Sequence, residues 1–90
     1  MKRVALISII VSENADVAKL NDYLHEASDY AIGRMGIPYR KRNISIISLA
    51  IDAPQDFISA LSGKIGRLEG VTSRTTYSDV ITPEDGDKTC

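Results

Sequence analysis

Cysteine is all but absent from this chain: of 90 residues only Cys90 is one, and it is the last. A lone cysteine excludes an intrachain disulfide framework and a thiolate metal cluster. The simplest setting that fits is a reduced, cytoplasmic one. Histidine is equally scarce. His25 has no second histidine and no nearby cysteine to complete a metal site, unless symmetry brings two copies together, so no metal and no cofactor is implied. Neither sign of charge dominates, with 11 basic and 12 acidic side chains and a formal net charge of −1. No bulk electrostatic drive toward nucleic acid or an anionic membrane follows. No segment approaches the roughly 20 apolar residues of a membrane span. Met1-Lys2-Arg3 and the apolar run after it have the outline of a signal peptide. The run is β-branched and short, however, and closes at Ser12-Glu13-Asn14 without a cleavage-type site, so it reads as a strand. Walker-type loops, nucleophile elbows and dinucleotide fingerprints are missing too, so an enzyme is the least supported class.

What is present is apolar on both sides. Val4–Val11 and Ile44–Ile51 alternate by strand rules, yet neither keeps a polar face, with one serine each (Ser8, Ser48) on the even-numbered side. Ninety residues make one domain that buries roughly 60–65% of its unfolded surface and is marginal alone. Such a chain has helix enough to cover one side of a sheet. The second side needs another subunit.

Between these strands, Ser12-Glu13-Asn14 supplies helix-start residues, with Asp16 in the first turn. Val17, Leu20, Leu24 and Ala27 then recur at helical spacing. Tyr30–Ile37 reads as a glycine-bearing edge strand ended by Pro38, and Tyr39–Asn43 as a basic hairpin connection. Asp52 reads as the cap of a second helix with Pro54 in its first turn and an Ile58, Leu61, Ile65, Leu68 stripe. Gly70 leads into a last strand, Val71–Ser78. The order β-α-β-β-α-β predicts an α+β, ferredoxin-like fold over residues 1–80: a four-stranded antiparallel sheet with both helices on one face. Residues 81–90 read as a flexible polar tail. The even-numbered face, including Leu6, Ser8, Ile10, Ile44, Ile46 and Ser48, becomes the expected oligomer interface.

The most unusual local composition is Gly33-Arg34-Met35-Gly36-Ile37-Pro38-Tyr39-Arg40. Glycines beside an arginine allow close approach of a ligand or another backbone, and Arg34 and Arg40 have the chemistry to clamp a carboxylate or phosphate. The alternative is that the glycines make room for a neighbouring subunit and the charges are solvated. Arg34, Gly36, Tyr39 and Arg40 are therefore the expected effector contacts. Gly63-Lys64-Ile65-Gly66 matches the short signature of KH-type RNA-binding loops, but at a helix end entering a turn rather than between two helices. Small residues for close helix–sheet packing explain it better. Gly63, Lys64, Gly66 and Arg67 stand as secondary candidates. Asp22, Glu26 and Asp29 near His25 read as a solvated helix face.

Three stretches carry a family resemblance: Asp29–Tyr39, Ile46–Pro54 and Ile58–Val71. Together they make about residues 2–78 resemble a small bacterial family of regulators of the iron-only hydrogenase system. The resemblance implies a ferredoxin-like domain of the ACT-like type, similar to the C-terminal effector domain of the nickel-responsive regulator. Such domains assemble as dimers or tetramers and bind small effectors, often amino acids, at subunit interfaces. The chain departs from the nickel regulator in lacking a histidine/cysteine ligand set and any ribbon-helix-helix or helix-turn-helix segment. The expectation is a non-enzymatic, homo-oligomeric regulator of transcription that binds a small anionic or amino-acid-like effector. The alternative is an assembly module for hydrogenase maturation that needs no small ligand. Either reading leaves room for a hydrogenase-maturation or transcription partner. Direct nucleic-acid binding through Arg40-Lys41-Arg42 with Lys64 and Arg67 is disfavoured, and no membrane partner is expected.

Overall fold

Both double-faced strands take the centre of the sheet. The computed structural model describes residues 1–82. It contains β1 (Lys2–Ser12), α1 (Val17–Glu26), β2 (Ala31–Tyr39), β3 (Ile44–Ala53), α2 (Gln55–Gly66) and β4 (Val71–Thr82). A single 3-10 turn, Arg40–Arg42, joins β2 to β3. The sheet runs β2-β3-β1-β4 with every neighbouring pair antiparallel. This is the ferredoxin-like α+β arrangement.

The period of two divides the central strands cleanly. Ala5, Ile7, Ile9 and Val11 of β1 and Ile47, Leu49, Ile51 and Ala53 of β3 are buried. They form one cluster with Leu20 and Leu24 of α1 and Ile58, Leu61 and Ile65 of α2. Both helices therefore cover the odd-numbered face, and the even-numbered face has no cover among the described residues. Register pins this arrangement: Ser8 lies opposite Ser48, Leu6 opposite Ala50 and Ile10 opposite Ile46.

Element ends differ from the sequence reading in ways local chemistry explains. Asp16 is the N-cap of α1 rather than a first-turn residue, its carboxylate accepting the Lys19 N–H at 3.0 Å. Asp52 is not the cap of α2. It is still paired in the ladder with Val4, and its N–H donates to the Tyr30 carbonyl at 3.0 Å. A residue before proline is held extended, so Ala53 stays in β3 and Pro54 becomes the N-cap. Pro38 does not end β2 but lies within it, opposite Ser45. A missing donor on the outer side of an edge strand breaks no ladder bond. β4 runs past Ser78 to Thr82, pairing Ile81 with Arg3 and Thr82 with Lys2, so the first two residues of the expected tail are strand. The rest of that tail, 83–90, lies outside the described residues.

Candidate functional site

Strand alternation and strand rise scatter the Arg34–Arg40 block. Arg34 lies opposite Leu49 and Gly36 opposite Ile47, on the helix side of the sheet. Tyr39 lies opposite Ile44, on the open side. Arg40 is in the 3-10 turn and borders a depression with Ser12, Glu13 and Val17. Six residues of extended chain put Arg34 and Arg40 roughly 20 Å apart, too far to grip one small anion. Arg34 instead borders a hollow of about 290 Å³ with Asn21, His25 and Ser28 at the end of α1. It therefore does not flank the open face. A Cβ built on Gly33 or Gly36 would meet nothing within 4 Å, so no contact among the described residues demands either glycine.

The secondary set divides as well. Lys64 points toward α1, where its ammonium pairs with Glu26 and lies 4.8 Å from the centre of the Tyr23 ring. Gly63, Gly66 and Arg67 stay together on the other side of α2. With Ser59, Ser62, Ser73, Arg74, Thr75 and Tyr77 they line an open groove of about 600 Å³ between α2 and β4. Ser59, Ser62, Gly63 and Gly66 fall at i, i+3, i+4 and i+7, one face of a helix. Ser73, Thr75 and Tyr77 alternate along β4 and point the same way. Small residues on α2 let the two elements approach, and a Cβ on Gly66 would already lie 3.6 Å from Ser73 Cβ. The Thr75 hydroxyl donates to Ser62 Oγ at 2.8 Å, and the Ser62 and Ser73 hydroxyls lie 3.0 Å apart. Sequence reasoning passed over Ser59, Ser62, Ser73, Arg74, Thr75 and Tyr77. The two spacings just given were the available signal.

On the opposite side, Leu6, Ile10, Met35, Ile37, Tyr39 and Ile46 are between 39% and 57% exposed. They form rows across the sheet, Ile37–Ile46–Ile10 and Met35–Ser48–Ser8. Contiguous apolar patches larger than a few hundred Å² are uncommon on monomeric proteins. The central positions carry aliphatic side chains and serines rather than the aromatic rings on which sheet-type RNA readers stack bases. Among the described residues no group of three or more His, Cys, Asp or Glu is placed to hold a metal, and no helix is long and apolar enough to cross a membrane.

Residues 3–75, most of the domain just described, match the TM1266-like family, whose description reads "Iron-only hydrogenase system regulator, putative". The chain belongs to this family. A solved structure, the uncharacterized protein TM1266 from Thermotoga maritima, is 35% identical with a TM-score of 0.82, the match covering 86% of this chain and 98% of that one. A formyltetrahydrofolate deformylase from Pseudomonas putida KT2440 aligns over 86% of this chain and 29% of its own, with a TM-score of 0.62 and 14% identity. At that identity it shows a shared fold alone. No curated protein matches. For a TM1266-like chain, the two features that stand out physically are the hydroxyl- and arginine-lined groove and the uncovered sheet face.

Proposed function

We propose that this chain is a non-enzymatic regulatory domain of the iron-only hydrogenase system. It works as a homo-oligomer, seats a second copy on its open sheet face, and binds a small anionic or amino-acid-like effector in the α2–β4 groove. The observation that carries this reading is that β4 borders both features. Ser73, Thr75 and Tyr77 face the groove, while Thr72 and Thr76 lie opposite Ile10 and Leu6 on the open face. A ligand that shifts β4 therefore acts on the edge of the subunit contact. Absence of catalysis is supported by the lining itself. Among the described residues no carboxylate, imidazole, amine or thiol lines the groove to serve as general base. Regulation of transcription then runs through a partner protein, because the described elements include no DNA-reading helix pair.

Light scattering at micromolar concentration is expected to give a dimer or tetramer, and a panel of amino acids and small anions is expected to contain a ligand that raises the melting temperature of the chain but not of Arg67→Ala. A monomer, or a panel with no response at all, overturns the corresponding half of this reading. The alternative, an assembly module with no small ligand, is favoured by the open face taken alone. It predicts a stable complex with a hydrogenase-maturation protein that no added ligand strengthens.

A further inference from the structure

We infer that the hollow between the end of α1 and β2 is a second small-molecule site, built for a short aliphatic carboxylate with Arg34 as its charged contact. It goes beyond the reading above and does not depend on it, since the hollow shares no residue with the α2–β4 groove. Three observations carry it.

The first is how Arg34 comes to be there. Ala31 and Arg34 are an odd number of residues apart, so plain alternation would put them on opposite faces of the sheet. The register that sets Ala31 opposite Ile51 would set Arg34 opposite Ser48, on the open face. A bulge between Ala31 and Gly33 inserts one extra residue into β2, and Arg34 lies opposite Leu49 instead. Both residues therefore line one hollow on the helix side. Bulges recur beside functional sites, where they re-aim a side chain. Arg34 gains no ion pair and no side-chain hydrogen bond among the described residues in return.

The second is the polarity of the lining. Asn21, His25 and Ser28 fall at i, i+4 and i+7 on α1 and border the hollow with Arg34. A guanidinium only donates, and an amide, an imidazole and a hydroxyl can each add a donor. No acidic side chain lines the hollow, and Glu26, next to His25 in sequence, is paired with Lys64. One carboxylate matches the one guanidinium. An α-ammonium group would find no carboxylate to meet it, which disfavours an amino acid here.

The third is the floor. Leu24 and Leu49, 4% and 2% exposed, underlie the polar rim together with Ala31. The volume, about 290 Å³, lies at the lower end of small-ligand sites. An apolar floor of that size under a donor rim suits an acid with a chain of a few carbons.

The test is calorimetric titration of the full chain with isovalerate, acetate, valine and inorganic phosphate, alongside NMR of the ring of His25, the sole histidine. Isovalerate should bind saturably and at least tenfold more tightly than acetate, since each buried CH₂ is worth about a factor of four. It should exceed valine and phosphate by as much and shift the His25 ring signals. Arg34→Ala removes the charge and Ala31→Leu fills the hollow. Each should weaken binding at least tenfold with unchanged circular dichroism, while Arg67→Ala and Arg40→Ala bind as the parent does. Acetate or phosphate equal to isovalerate denies the floor any role and overturns the proposal. Valine binding as tightly as isovalerate overturns the ligand class. Isovalerate that leaves His25 unshifted, and is lost in Arg67→Ala, overturns this site and leaves the α2–β4 groove standing. No binding of isovalerate overturns the proposal whatever the groove takes.

Discussion

Gly70 and Gly63 look alike in sequence and differ in what a methyl group would meet. Gly70 has φ +77°, a region that side chains rarely enter, and a Cβ there would overlap Ser12 Oγ and lie 2.8 Å from Asn14 Oδ1. Those two side chains hydrogen-bond each other across the turn after β1, and the Ser12 N–H donates to the Gly70 carbonyl at 2.8 Å. Gly70 thus lets the α2–β4 turn close onto the β1–α1 turn. Gly70→Ala is expected to cost about 1–3 kcal/mol of stability, read from the urea midpoint. At Gly63 the backbone is helical and a methyl meets only the end of a flexible arginine. Gly63→Ala is expected to add about 0.5–1 kcal/mol in the same assay. Since that substitution is also the one that fills the groove, gain of stability and loss of ligand should travel together in one variant.

At the scale of elements, α2 is held by its apolar stripe and only trimmed by its ion pair. Ile58, Leu61 and Ile65 are at most 1% exposed, whereas the Lys64 and Glu26 side chains are 32% and 46% exposed. Leu61→Ala is therefore expected to lose about 2–5 kcal/mol, and Glu26→Gln no more than about 1 kcal/mol, with the smaller loss vanishing in high salt. Paired urea titrations at two salt concentrations separate the two. The same contrast explains what could be read beforehand. The double-faced strands and the Ile58–Leu61–Ile65 stripe follow from periodicity, so the topology was legible. Asp52 looked like a cap only because its pairing with Val4 is long-range, and Pro38 looked like a strand end only because the free side of β2 is invisible in one dimension. The Arg34–Arg40 block misled differently: odd composition drew attention to residues that strand geometry spreads over two faces and about 20 Å. The groove was half legible. The small-residue face of α2 and the hydroxyl alternation of β4 are both plain in the sequence, but nothing local says that one packs on the other.

At the scale of the whole molecule, the question is whether the open face is large enough to hold a second copy. Four strands about 4.8 Å apart, over roughly six residues at about 3.4 Å each, give a face of roughly 19 by 20 Å. Two such faces pressed together bury an accessible area on the order of 1,000 Å², the lower bound for a specific interface. Affinity then depends on how apolar the centre is, and the rows Ile37–Ile46–Ile10 and Gly33–Ala50–Leu6 supply that, with Ser8 and Ser48 as the polar points between them. A carboxylate placed at Ile46 would be buried unpaired at such a contact and costs several kcal/mol there, but little on a free surface 39% exposed. Ile46→Asp is therefore expected to convert the oligomer to a folded monomer by light scattering. The melting temperature of the parent should rise with protein concentration, because association stabilises by mass action, and that of Ile46→Asp should not. Arg34→Asp, on the helix side, should leave both readouts as they are in the parent. If Arg34→Asp dissociates the oligomer and Ile46→Asp does not, subunits meet along the β2 edge and the helix side, and the open face belongs to a different protein.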